Sequence, residues 1–103
     1  MLDPQTQPSP LRIEVAVQPT GVMVVRCWGE IDGTNVDRLQ WALTTCIKSE
    51  LGAVEVDLLG VDALDRCAVK ALGRASYRLA RQGRTLSVRC RPFAIRPFAI
   101  RPL

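Results

Sequence analysis

The sequence predicts an α/β domain, a mixed β-sheet of about four strands with its helices packed on one face. Two observations carry this. The segments that read as strands alternate apolar and polar residues, so each offers one dry face and one wet face. Between them lie two segments whose apolar residues recur at helical spacing as a single stripe, as a helix covering a sheet requires. An order of strand, strand, helix, strand, helix, strand ordinarily suggests parallel strands covered on both sides. The alternation recurs in strands far apart in the chain, however, and argues for helices on one face and a second face left to solvent.

Taking the elements in order, residues 1–10 hold three prolines and no hydrophobic block. They read as a disordered leader, not a signal peptide. Leu11 to Val17 places Leu11, Ile13, Val15 and Val17 on one face against Arg12, Glu14 and Ala16, a half-buried strand. Gln18-Pro19-Thr20-Gly21 has turn chemistry, and Val22 to Trp28 reads as the second arm of a hairpin. Gly29-Glu30-Ile31-Asp32-Gly33 reads as a loop leaving that strand. Thr34-Asn35-Val36-Asp37 then fits a capping box, with Asp37 in place of the usual Glu. The first helix should bury Val36, Leu39, Leu43, Cys46 and Ile47 and end near Gly52, with Trp41 off its stripe.

Val54 to Leu59 is the next one-sided strand, leading to Val61-Asp62-Ala63-Leu64-Asp65. Asp65 is the expected N-cap of the second helix, its carboxylate accepting from free backbone amides at the helix's positive end. A turn of about 100° per residue gathers Ala68, Leu72, Ala75 and Leu79, with Val69 beside them, into the core-facing stripe. Arg66, Lys70, Arg74, Arg78 and Arg81 fall on the opposite side, with Cys67 among them. Gly83-Arg84 closes the turn, and Thr85 to Cys90 alternates again. From Arg91 onward, Arg-Pro-Phe-Ala-Ile occurs twice in tandem, and its prolines forbid a regular helix and disfavour a central strand. The expected organisation is a leader over residues 1–10, a folded domain over 11–90 and an irregular repeat tail over 91–103.

Composition narrows the function classes. At 103 residues the chain can bury a real but modest core. No apolar run reaches the roughly 20 residues of a membrane span, so a cytoplasmic protein is expected. The four cysteines, Cys27, Cys46, Cys67 and Cys90, show no C-x-x-C spacing and should be free thiols in a reducing compartment. The chain has no histidine, no glycine-rich phosphate loop and no pair of carboxylates on one helix, so neither catalysis nor a metal or cofactor site is expected. Net charge is only +4, but residues 1–65 hold all ten acids and residues 66–103 hold ten of the fourteen bases and no acid. Such asymmetry marks an electrostatic surface. The second helix interleaves no aromatic residue but Tyr77 with its cations and carries no groove-reading motif, which disfavours nucleic acid as the partner.

Read together, Gly29-Glu30-Ile31-Asp32, Val54-Glu55-Val56-Asp57-Leu58, Val61-Asp62-Ala63-Leu64-Asp65, the basic helix and Gly83-Arg84-Thr85-Leu86-Ser87-Val88 resemble the STAS domain of bacterial anti-sigma factor antagonists. The resemblance spans Leu11 to Cys90. It implies a STAS-like mixed sheet with helices on one face and a protein that binds a kinase-type anti-sigma factor, thereby influencing sigma-dependent transcription. It also implies a partner-binding surface around Glu30, Asp32, Asp65, Arg66, Cys67 and Lys70. In that family an Asp-Ser-Ser/Thr-Gly segment carries the phosphorylated serine. Here Asp65 matches the aspartate, but Arg66 occupies the phospho-acceptor position, Cys67 the next and Ala68 the glycine position, so the usual switch is absent. The family also continues past the last strand with another helix, which the repeat tail is not expected to supply; uncovered apolar surface there would invite a homodimer. Cys67, at a helix N-terminus among cations, is a candidate redox-sensitive thiol. The same residues leave room for a STAS subunit of another complex such as a transporter, for a redox-controlled variant acting through Cys67, and for a degenerate copy without function.

Overall fold

The computed structural model describes residues 11–92. It contains β1 (Leu11–Val17), β2 (Met23–Ile31), α1 (Val36–Ser49), β3 (Val54–Leu64), α2 (Arg66–Ala80) and β4 (Leu86–Cys90). The strands form one sheet in the order β1-β2-β3-β4. β1 and β2 are an antiparallel hairpin, while β2, β3 and β4 run parallel. Both helical connections move one strand across the sheet in the same direction. Right-handed crossovers therefore put α1 and α2 on the same face, where they also pack against each other. This is the one-sided mixed sheet that the alternation called for.

The core lies between that face and the two helices. Met23, Val25 and Cys27 from β2, Val54, Val56 and Leu58 from β3, and Leu39, Leu43, Cys46, Leu72 and Leu79 from the helices are buried in one cluster. Fully burying an aliphatic side chain of this size contributes about 1.5–3 kcal/mol. Both predicted stripes face the core, with Val36 and Val69 only half-buried at their margins and Ala42 and Ala71 added to them. On β1 the apolar face is buried only at its start. Val15 and Val17 are exposed, because β1 is an edge strand that α1 covers only in part, and Trp41 stands 75% exposed on α1 across a groove from Ile13 and Val15.

The wet face of the sheet is ordered by charge. The register aligns Glu14 with Arg26, Arg26 with Asp57, and Asp57 with Arg89, so one row of alternating sign crosses all four strands. Arg26 and Asp57 lie 3.7 Å apart, as do Arg89 and Glu55. Opposite charges on neighbouring strands favour this register, each pair weakly. Trp28 lies directly on Gly60, where a Cβ would come within 2.3 Å of the indole. The Arg12 guanidinium sits 5.2 Å from the Trp28 ring centroid, a cation–π contact.

Several boundaries differ from the sequence expectation. Gly29 to Ile31 is not a loop but the end of β2, and β3 runs on past Leu59 to Leu64. Register shifts between Arg26 and Trp28 and between Gly29 and Glu30 interrupt the ladder. The buried residues of β3 consequently fall at Leu58, Val61 and Leu64, a spacing of three that hides the period-two signal of a strand. α1 stops at Ser49, with Glu50 at φ 57° in the left-handed region, ahead of the expected end near Gly52. The leader and residues 93–103, all of the repeat tail but Arg91 and Pro92, lie outside the described residues.

Candidate functional site

The carboxyl ends of β2 and β3 lie side by side, with Glu30 opposite Ala63 and Ile31 opposite Leu64. Each strand then turns into a helix, so the β2–α1 and β3–α2 turns meet at one end of the sheet. A single backbone bond joins them. The Asp65 amide donates to the Ile31 carbonyl at 3.0 Å. Parallel sheets place ligand-contacting loops at this end of their strands.

The β2–α1 turn is built around Asp32 and Asn35. The Asp32 carboxylate accepts from the Thr34 amide at 2.9 Å and the Thr34 hydroxyl at 2.5 Å, an Asx turn. The Asp32 carbonyl accepts from the amides of Asn35 and Val36. Asn35 is 2% exposed, the one buried polar residue among those described. Its Nδ2 donates to the Glu30 carbonyl at 2.9 Å and its Oδ1 accepts from the Asp32 amide at 3.0 Å. Asn35 thus ties the last residues of β2 to the start of α1. The expected capping box is not formed. Asn35, not Thr34, occupies the N-cap position, with no side-chain cap bond, because Thr34 is engaged by Asp32 and the Asn35 amide faces backward into the turn.

The β3–α2 turn is simpler. Asp65 occupies the N-cap position of α2 with an extended backbone, φ −81° and ψ 163°. Its carbonyl accepts from the Ala68 amide at 3.0 Å. Its carboxylate makes no capping bond, contrary to expectation, so the first-turn amides of α2 are not satisfied from this side chain. Asp32, Asp65 and Cys67 are half-buried, while Glu30, Arg66 and Lys70 are exposed. Arg66 and Lys70, four residues apart, share one face of α2. The structure therefore gathers Glu30, Asp32, Asp65 and Arg66 at one end of the sheet, with Cys67 and Lys70 leading away along α2.

Sequence reasoning missed three residues. Asn35 was absorbed into the capping-box pattern, although an asparagine between a strand end and an apolar stripe is itself a turn signal. Arg91, assigned to the tail, donates to the Val61 carbonyl at 3.2 Å and to Asp62 at 2.5 Å, fastening the exit of β4 to β3. Arg84 reaches across to the C-terminus of α1. Its guanidinium donates to the carbonyls of Cys46, Ile47 and Gly52 at 3.0–3.1 Å. Two of these are carbonyls of the helix's last turn, where backbone partners run out, Cys46 also accepting from the Ser49 hydroxyl, and the positive charge suits that end of the dipole.

The thiols divide by location. Burial pushes Cys27 up to about 12, with Asp57 adding to the rise, and burial also raises Cys46. Both sit in the core as small apolar side chains. Cys67 and Cys90 are half-buried. Among the described residues no three side chains of His, Cys, Asp or Glu come together as a metal site would need. No helix among them is long and apolar enough to cross a membrane.

Comparison with known proteins gives the same picture. A crystal structure of an anti-sigma factor antagonist from Mycobacterium paratuberculosis is 26% identical, with a TM-score of 0.77 over 85% of this chain and 74% of that one. An antisigma-factor antagonist STAS domain from Rhodobacter sphaeroides matches at 19% identity and a TM-score of 0.64, covering 76% of this chain and 84% of that one. The anti-sigma factor antagonist SpoIIAA in its unphosphorylated form matches at 14% identity and a TM-score of 0.67, covering 81% and 74%. At such low identity the last two establish the fold alone. No curated protein sequence gives a match. The family description that fits is the STAS domain, matched over residues 14–98; with that span and the one-faced mixed sheet, the chain belongs to the STAS domain family.

Proposed function

We propose that the chain is a non-enzymatic regulatory binding module of the anti-sigma factor antagonist kind. It docks a kinase-type anti-sigma factor in the cytoplasm and so influences sigma-dependent transcription. The observation that carries this is the junction of the two strand-to-helix turns, which places Glu30, Asp32, Asp65 and Arg66 at one end of the sheet and bonds the Asp65 amide to Ile31. The likeness to the mycobacterial antagonist supports the same assignment. The β2–α1 turn is tied internally. Asn35 is buried and doubly bonded, so Asp32 is presented in a fixed position, which lowers the ordering cost of docking.

Arg66 stands where the family's phosphorylated serine would be. An arginine side chain has no hydroxyl to accept a phosphoryl group, and it contributes positive charge where phosphorylation would add negative charge. Docking by this module is accordingly not switched off at that position. The test is capture of purified anti-sigma factors from the same genome on the immobilised full chain, under reducing and oxidising conditions. Capture that fails with Asp32→Lys and Asp65→Lys, both shown to be folded by circular dichroism, supports the assignment. Failure of the folded wild type to capture any anti-sigma factor rejects it. Capture that persists in Arg66→Ser only until the partner and ATP are both added would restore the missing switch.

A further inference from the structure

We infer that the outer face of α2 is a second contact surface, built to receive an acidic protein segment whose apolar side chain enters a notch at Gly73. The inference rests on the docking role above and names the chemistry of the partner.

Three observations carry it. First, four cations along and just beyond α2 are uncompensated. On the sheet and its edge, Arg12, Arg26, Arg89 and Arg91 each pair with an acid. Among the described residues, Lys70, Arg74, Arg78 and Arg81 form no ion pair with an acid, and α2 contains no acid. All four are exposed.

Second, Gly73 leaves a gap in the middle of that face. Mid-helix glycine is unfavourable relative to alanine, and the fold does not require it, since a Cβ there would meet nothing within 4 Å. The gap forms a depression lined by Lys70, Gly73, Arg74, Tyr77 and Arg78, whose walls are a phenol ring and the aliphatic stems of long cations.

Third, Tyr77 is 64% exposed. The Arg81 guanidinium lies 5.8 Å from its ring centroid and donates to its hydroxyl at 3.4 Å, holding the ring beside the notch.

Arginine and tyrosine around an apolar notch are what protein interfaces concentrate at their energetic centres. A nucleic-acid backbone supplies negative charge but no apolar knob for the notch. The cations also follow one convex helix, not a groove that could track a strand. The occupant is therefore an acidic protein segment.

The experiment uses the isotopically labelled full chain and two probes at 0.15 M salt. One is a 20-residue helix-forming peptide with glutamates on one face and leucines at its centre; the other is a 20-base-pair duplex of arbitrary sequence. Saturable backbone shifts from the peptide, confined to Lys70, Gly73, Arg74, Tyr77, Arg78 and Arg81, are expected. Arg74→Glu/Arg78→Glu should weaken the peptide at least 10-fold. Gly73→Leu, which fills the notch and leaves the charge intact, should weaken it at least threefold. Absence of saturable shifts, shifts elsewhere on the surface, or tighter binding of the duplex overturns the inference. An anti-sigma factor that captures the wild type and Arg74→Glu/Arg78→Glu alike also overturns it, while the docking role stands. Peptide binding on α2 with no anti-sigma factor captured supports the inference and removes that role.

Discussion

The two helices cover the same face of the same sheet but are held to it in different ways. α1 is fastened at both ends by side chains outside its helical residues. Asn35, Asp32 and Thr34 lock its entry, and Arg84, more than thirty residues away in sequence, closes its exit. α2 starts at an aspartate that makes no capping bond, has no acid in its first turn and carries a glycine at its middle. It is held by the apolar stripe Ala68, Ala71, Leu72, Ala75 and Leu79, with cations facing outward. The difference is one of means. α1 is held at its ends by side chains that fix Asp32 in place, whereas the exit of α2 is closed by backbone bonds through the left-handed Gly83, which leaves its outer surface to solvent.

This contrast can be broken by experiment. The largest effect is expected at Asn35. Replacing it with alanine removes two hydrogen bonds and strands the Glu30 carbonyl and Asp32 amide in a partly buried turn, at a cost of about 2–3 kcal/mol. The midpoint of urea unfolding should fall accordingly, and a loss under 1 kcal/mol would show that the entry of α1 is not a fixed point. Arg84→Ala should follow at about 2 kcal/mol, since hydrogen bonds to a charged group are worth about 1.5–3 kcal/mol. Arg84→Lys should recover only part of this, because an ammonium cannot reach three carbonyls as the planar fork does. Hydrogen exchange should speed up at the last turn of α1 and not in α2.

A third expectation concerns the floor beneath α1. Cys27 keeps its proton in the fold to about pH 12 against an ordinary value of 9.0. The unfolded chain releases that proton first, so this contribution to stability is intact below pH 9 and is lost as pH rises from 9 toward 12. The slope is up to about 1.4 kcal/mol per pH unit. Urea unfolding between pH 8.5 and 10.5 should decline less steeply in Cys27→Ala than in the wild type; equal slopes would discount burial as the cause. A smaller effect of opposite sign belongs to α2. Gly73→Ala should raise stability by about 0.5–1 kcal/mol, because the added methyl meets open space. The smallest is on the wet face, where Arg26→Ala should shift stability by about 0.5 kcal/mol or less, its partner being solvated.

What could be read from the sequence follows from how far each signal reaches. The two apolar stripes and the centres of all four strands are periodic within a few residues, so they were visible, as were Asp32 and Asp65 once a family pattern aligned them. The end of β2 was hidden because Gly29 and Gly33 read as loop punctuation although its alternation runs on to Ile31, and the end of β3 because two bulges add residues to that strand and give it a spacing of three. Arg84 was hidden for the opposite reason. Its partners are Cys46, Ile47 and Gly52, and no local pattern announces a bond across that distance. Asn35 was masked by a competitor, since Thr34 fits the same motif one residue earlier and only the engagement of its hydroxyl by Asp32 decides between them. The charge imbalance of α2 was plain in the sequence, but the notch at Gly73 was not, because the lack of core contact at a glycine shows only in three dimensions.

The strand order has a kinetic consequence. Spatial order equals chain order, so each strand pairs with the one made just before it and none must be inserted between two already joined. Contacts close early loops first, which lowers the entropy to be overcome before the next gain and favours rapid folding. On a ribosome, the hairpin of β1 and β2 can form, then be extended by α1 with β3 and then by α2 with β4, in the direction of synthesis. The surfaces at the carboxyl ends of β2 and β3 are then assembled only when the third strand docks, so Asp32 and Asp65 are not brought together until most of the sheet already exists.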